Sequence, residues 1–209
     1  PHLKYASRAF VVEFAGTPKS GKSTAVEAVR HFFSRHQFRV HVLTERAAVC
    51  PIPMKGHLFF NTWCAATMLA ELLANIETDT DIIIVDRGIV DALVWLQLQQ
   101  QRGELTKGEA ETIESFLLLD RWRSLIDMSV IMSVDASAAM RREVGQRITR
   151  IPGSIMNPDV LDVITGSVRT AVRKYKSKFP QMLSIDTSKS RSVQQSNAVL
   201  ADAMADSLE

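Results

Sequence analysis

AFVVEFAGTPKSGKST, residues Ala9 to Thr24, sets an apolar run against a short basic turn. Ala9 to Ala15 is rich in β-branched and aromatic residues, ends at Gly16, and predicts a buried strand. From Ser23 to His36, Ala25, Val26, Val29, Phe32 and Phe33 recur at helical spacing. Between them GTPKSGKS fits G-x-x-x-x-G-K-[ST]. A Gly/Ser-rich surface turn needs neither the Lys-Ser pair nor a buried strand ahead of it. Strand, glycine-bounded turn and helix therefore read as one unit.

The same alternation continues along the chain. FRVHVLT (38–44), IIIVD (82–86), SVIMSVD (129–135) and QMLSID (181–186) predict four more strands. Leu58 to Ile76, Ile89 to Gln101, Lys107 to Leu125, Asp159 to Phe179 and Ser192 to Leu208 predict helices, and Pro158 marks the start of one of them. Glu45 to Gly56, with Pro51 and Pro53, reads as a loop. Strands alternating with helices imply a five-stranded parallel sheet in a three-layer α/β/α fold. The 209 residues suit one domain, 1–209, with a small arginine-bearing flap at about 140–153. Ligands bind such sheets at the carboxyl ends of the strands, where GTPKSGKST, TER and DRG lie.

Composition narrows the classes. Net charge is +2, with 46% apolar and 23% charged residues, so no global field marks a nucleic-acid or membrane-surface protein. No run of about 18 apolar residues predicts a membrane span. PHLKYASRAF carries no apolar core of a secretory leader, and a cytoplasmic location is expected. Cys50 and Cys64 have no CxxC spacing and read as one loop thiol and one helix thiol. The five histidines show no ligand spacing.

The turn has the chemistry of a phosphate cradle. Gly16 and Gly21 allow positive φ and close approach, and successive backbone N–H groups form an anion nest at a helix N-terminus. Thr17, Pro18, Lys19, Ser20 and Thr24 complete the expected cradle. Lys22 would reach the β- and γ-phosphates of ATP and Ser23 would ligate Mg²⁺. Asp86, ending an apolar strand, would help hold the metal, with Arg87 beside it for a phosphate or sugar hydroxyl. Glu45 is placed to accept a hydroxyl proton, and Arg46 to bind an acceptor. Arg141, Arg142, Arg147 and Arg150 form a basic stretch that would neutralise a transferred phosphoryl group, with Arg142 and Arg147 singled out. Phe59, Phe60, Trp63 and Met68 could stack a nucleobase, with Asn61 at its edge, although such a stripe is also what a core-facing helix shows.

Taken in order, these motifs resemble the thymidylate kinase and deoxynucleoside kinase group of P-loop phosphotransferases, from about Phe10 to Asp186. FAGTPKSGKST resembles the group's FEG-x-x-x-x-GKST, VDRG its DR or ER motif, LTER its strand-two glutamate segment, and the arginine stretch its LID. The resemblance implies a P-loop NTPase fold, Glu45 or Asp86 as base, and Arg87 on the acceptor. Four features depart from it: ERAAVCP replaces a Pro-Gly-Gly continuation, LFFNTWCAATM lacks an arginine, Gly88 stands where Tyr, Phe or Ser is usual, and Pro18 and Lys19 fill the variable P-loop positions unlike either subgroup. The expected partners are a nucleotide donor and a small acceptor, with no long nucleic acid. The reading is ATP- and Mg²⁺-dependent phosphoryl transfer to a nucleoside or nucleoside monophosphate. Its alternatives are a nucleotide-sensing P-loop module with little turnover and a P-loop kinase of another small molecule. The helices from Leu58 and Ile89 could form a homodimer face or be buried in the monomer.

Overall fold

The computed structural model describes residues 8–53, 57–146, 156–188 and 193–208. Five parallel strands form one sheet: β1 (Phe10–Gly16), β2 (Val40–Leu43), β3 (Ile82–Asp86), β4 (Met128–Ser133) and β5 (Gln181–Asp186). Their order is β2-β3-β1-β4-β5, so the chain winds from β1 to one edge and then crosses to the other. The three-layer expectation from the apolar runs holds.

Side-chain alternation along β1 divides the core. Val12 and Phe14 face α1 (Lys22–Arg35) and α8 (Val193–Leu208), in a cluster with Ile82, Ile84, Val130 and Met132. Val11 and Ala15 face the other layer, built from α2 (Leu58–Asn75), α3 (Ile89–Gln101) and α7 (Pro158–Tyr175). The helix after β1 thus leaves on one face and the helix after β3 on the opposite face. Between neighbouring strands that diverge in this way, a crevice opens at the carboxyl ends. That crevice positions the site.

Several boundaries differ from expectation. The helix expected over 107–125 is two: α4 (Lys107–Leu117) and α5 (Asp120–Arg123). No Gly or Pro marks the break; the Trp122 indole N–H donates to the Phe116 carbonyl at 3.0 Å, satisfying a group the helix releases there. α6 (Ala136–Gln146) starts ahead of the basic stretch, because Asp135 ends no strand but caps this helix, accepting from the Ala138 N–H at 2.6 Å. Arg147, Arg150 and the rest of the expected flap to 153 lie outside the described residues apart from the end of α6. Asn157 and Pro158 open α7 as cap and first residue.

α3 is buried within the chain itself, from Ile89 to Gln99 with Trp95 half-buried. Of the two helices expected at a homodimer face, α2 exposes the large apolar side chains Phe59 (62%) and Leu73 (44%) among the described residues. Among the described residues no helix is long and apolar enough to cross a membrane.

Candidate active site

The loop between β1 and α1 is fixed at its first residue. Gly16 has φ 146°, and a Cβ there would lie 1.9 Å from the Met132 carbonyl oxygen on β4. Close approach to a neighbouring strand, as much as to a ligand, requires glycine here. Thr17 completes the seam: its N–H donates to the Met132 carbonyl at 3.0 Å, and its hydroxyl accepts from the Val134 N–H at 3.0 Å. Lys19 (φ 60°) and Gly21 (φ 90°) then turn the chain into α1, which starts without a side-chain cap. Its first N–H groups remain available to an anion. The buried Ser20 hydroxyl has no hydrogen-bond partner among the described residues.

α6 grips this loop from outside. Arg142 donates to the Lys19 carbonyl at 2.8 Å and to the Thr187 carbonyl, just past β5, at 2.6 Å. Glu143 pairs with the Lys19 ammonium at 2.7 Å. Thr187, absent from the sequence reading, donates its hydroxyl to the Ser20 carbonyl at 3.1 Å.

Lys22, only 6% exposed, forms an ion pair with Asp86 at the end of β3. Arg87 follows with φ 64°, a strained value for a residue with a side chain, and its N–H donates to the Phe14 carbonyl at 2.9 Å. Its guanidinium lies between two carboxylates, with Nε 3.0 Å from Glu45 Oε1 and Nη1 3.1 Å from Asp91 Oδ2. Burial works against the cation, but Asp91, Glu45 and Asp86 outweigh it and hold its pKa above the ordinary value. Glu45 precedes a 3₁₀ turn, Arg46–Ala48, from which Arg46 pairs with Glu71 of α2 at 3.3 Å.

Beneath Arg87 lies a network that the sequence reading missed. Glu13, fully buried on the α3 side of β1, accepts through Oε1 from the Gly88 N–H at 2.9 Å and the Asp91 N–H at 3.0 Å. It caps α3 from a neighbouring strand. Its Oε2 has no hydrogen-bond partner among the described residues, and burial pushes its pKa up to about 7 against the pull of those N–H groups. A Cβ at Gly88 would lie 2.9 Å from that carboxyl group and from Val85 Cγ1, so the glycine leaves room for both where the resembled kinases carry a larger residue. Asp91 accepts from the Gly16 N–H at 3.3 Å and the Trp95 indole N–H at 3.0 Å, tying β1 to α3. The signal for Glu13 was present, as the one carboxylate in an otherwise apolar strand.

Two cavities meet at these residues. One of about 430 Å³ runs along the loop past Ser20, Ser23, Thr24, Arg142 and Thr187. The other, about 680 Å³, follows one face of α3 from Gly88 through Asp91 and Trp95 to Arg102, with Arg46, Phe60 and Asn61 on its opposite wall. Lys19, Glu45 and Arg87 line both. The Asn61 amide donates to Gln99 Oε1 at 3.3 Å. Pro18 lines the larger cavity, whereas Trp63 lies outside both linings and Met68 is buried core, so only part of the expected aromatic stripe reaches the site.

The donor set fits a bound nucleotide and metal. The orphaned Ser20 hydroxyl and the uncapped α1 suit phosphate oxygens, and the Ser23 hydroxyl with the Asp86 carboxylate offers the hard oxygens Mg²⁺ takes.

No family model and no curated protein matches the chain. Solved structures do. Deoxyadenosine kinase from M. mycoides with bound dCTP superposes with a TM-score of 0.68 at 11% identity, covering 94% of this chain and 100% of that one. The same enzyme with bound dATP gives 0.65 at 12%, with the same coverage. The chain has the P-loop nucleoside-kinase fold over nearly its whole length.

Proposed function

We propose that the protein transfers the γ-phosphoryl group of ATP to the hydroxyl of a nucleoside. The observation that carries this reading is the position of Glu45 and Arg87, which line the loop cavity and the α3 cavity at once. A group transferred between two substrates must cross such a junction. ATP lies on the loop with its phosphates at Lys22 and the Ser20 hydroxyl, and Ser23 and Asp86 hold Mg²⁺. When bound, the metal neutralises charge on the phosphates. Lys22 and Asp86 exchange each other for these ligands. The acceptor lies along α3 between Phe60 and Trp95. Glu45 takes the proton of its hydroxyl as the new P–O bond forms and the bond to the β-phosphate oxygen breaks. Arg87 holds Glu45 in place, and Asp91 holds Arg87. Arg147, which lies outside the described residues, is expected to contribute positive charge to the transfer.

Charge pairing favours a nucleoside over a monophosphate. Arg87 is matched by Glu45 and Asp91, and Arg46 by Glu71. A neutral hydroxyl leaves those pairs intact, whereas a phosphate dianion must displace a carboxylate. The structural neighbours bind nucleotides, dCTP and dATP, in keeping with a nucleotide site on this fold. The test is phosphoryl transfer from ATP across nucleosides and their monophosphates, for wild type and Lys22→Ala. Transfer to at least one nucleoside, lost in the variant, is expected. ATP-dependent stabilisation without transfer to any acceptor would replace this reading with a nucleotide sensor.

A further inference from the structure

The turn that carries Arg87 is held from behind by the central strand of the sheet. The Arg87 N–H donates to the Phe14 carbonyl at 2.9 Å. One residue earlier on β1, Glu13 lies opposite Val85 of β3 and accepts from the Gly88 N–H at 2.9 Å and the Asp91 N–H at 3.0 Å. Gly88 has no side chain with which to cap α3. One carboxylate oxygen from another strand therefore does both jobs of a capping box. These bonds fix the first turn of α3, and with it the Asp91 carboxylate. Asp91 accepts from Arg87 Nη1 at 3.2 and 3.1 Å through its two oxygens, and Arg87 Nε lies 3.0 Å from Glu45 Oε1. A continuous line of contacts runs from the buried sheet to the carboxylate at the junction of the two cavities. Glu13 itself lines neither cavity. Its second oxygen is buried without a partner among the described residues, a costly arrangement on a strand face otherwise made of Val11 and Ala15.

We propose that Glu13 is a positioning residue: by holding the first turn of α3 it places Asp91, through Asp91 the Arg87 guanidinium, and through Arg87 the Glu45 carboxylate against the acceptor hydroxyl. The part played by Glu45 rests on the function proposed above; the line of contacts does not. What Glu13 contributes is reach rather than charge, since one oxygen must meet two N–H groups at once. Glutamine offers an oxygen at the same length without the charge. Aspartate keeps the charge and draws it back by about 1.5 Å, the length of one C–C bond. A misplacement of about 1 Å at reacting groups costs on the order of 100-fold in rate. The two substitutions therefore separate position from electrostatics.

The experiment makes Glu13→Asp and Glu13→Gln in the whole chain, each alone and combined with Glu45→Gln. Assays at about pH 8 keep the wild-type acid ionised, its pKa being about 7. The readouts are kcat, the ATP Kd by calorimetry, and hydrogen exchange over residues 86–91 and 44–49. Glu13→Asp is expected to lower kcat about 10- to 100-fold with the ATP Kd unchanged, and Glu13→Gln only about threefold. Exchange over both segments should quicken in Glu13→Asp. In the Glu45→Gln background Glu13→Asp should cost nothing further, because no base remains to be placed. A merely structural role carries the same loss into that background, and finding it there overturns the proposal. So does a kcat that follows charge, falling in Glu13→Gln and holding in Glu13→Asp. If Glu13→Asp does not fold, Glu13→Gln decides: a folded variant slowed about tenfold or more overturns reach as the role, and a smaller loss supports it. The exchange readout needs no catalysis. Quickened exchange in a chain that phosphorylates no nucleoside removes the transferase reading and upholds the line of contacts, whereas unchanged exchange in both segments overturns the proposal in an active or an inactive protein.

Discussion

Arg87 concentrates the chemistry of the site in one side chain. It holds a left-handed backbone conformation that costs about 1–3 kcal/mol, and it separates two carboxylates that would otherwise repel. Such strain persists only where surrounding contacts over-determine it, and Phe14, Glu45 and Asp91 supply those contacts. If Glu45 accepts the acceptor's proton, Glu45→Gln lowers kcat by about 100- to 10,000-fold while the ATP-dependent rise in Tm is unchanged. Steady-state kinetics and thermal denaturation check both halves. Gly16→Ala tests the seam to β4. The added methyl group has no room beside the Met132 carbonyl, and a destabilisation of about 2–4 kcal/mol is expected in urea unfolding. Gly16, Lys22, Ser23 and Asp86 were legible because local spacing fixes where they fall. Glu13 was not, since its partners come from a segment 75 or more residues away, and neither was the tie from Asp91 back to Gly16.

At the scale of the element, α6 decides how the phosphate loop is held. One helix supplies Arg142 to two backbone carbonyls and Glu143 to Lys19. Arg142→Ala removes charged hydrogen bonds that join the loop to the end of β5. ATP affinity is expected to fall about tenfold, measured by calorimetry, with the helix content unchanged by circular dichroism. Asp135→Ala, which removes the cap, costs about 1 kcal/mol of stability without that loss of affinity. The sequence ran the fourth strand on to Asp135, because a carboxylate after an apolar run reads equally as a strand end or a helix cap. The division of α4 from α5 escaped for another reason. It depends on a tryptophan side chain finding a carbonyl, and the apolar spacing continues straight through it.

Across the whole molecule, the sheet puts a buried acid at the crossing of its two halves. Glu13 stands on the central strand, where an apolar residue would serve the core, and its folded pKa of about 7 exceeds its ordinary value of 4.5. The folded state therefore binds the proton more tightly than the unfolded one. This contribution to stability is complete below pH 4.5, declines as pH rises, and is lost above about 7. It amounts to about 3 kcal/mol. Urea unfolding of wild type and Glu13→Gln from pH 5 to 8 should show a difference that changes across this window and flattens above it. The order of elements was legible at this scale because strands covered on both faces read as unbroken apolar runs. The role of Glu13 required the fold. A Cβ at Gly88 would lie 2.9 Å from the Glu13 carboxyl group and equally from Val85 Cγ1, so a side chain at 88 asks two neighbours to move at once. Gly88→Ala should therefore destabilise wild type, and Glu13→Ala should relieve only the part of that cost which the acid imposes. Sequences descended from a common ancestor with this chain should keep the glycine wherever both neighbours are kept.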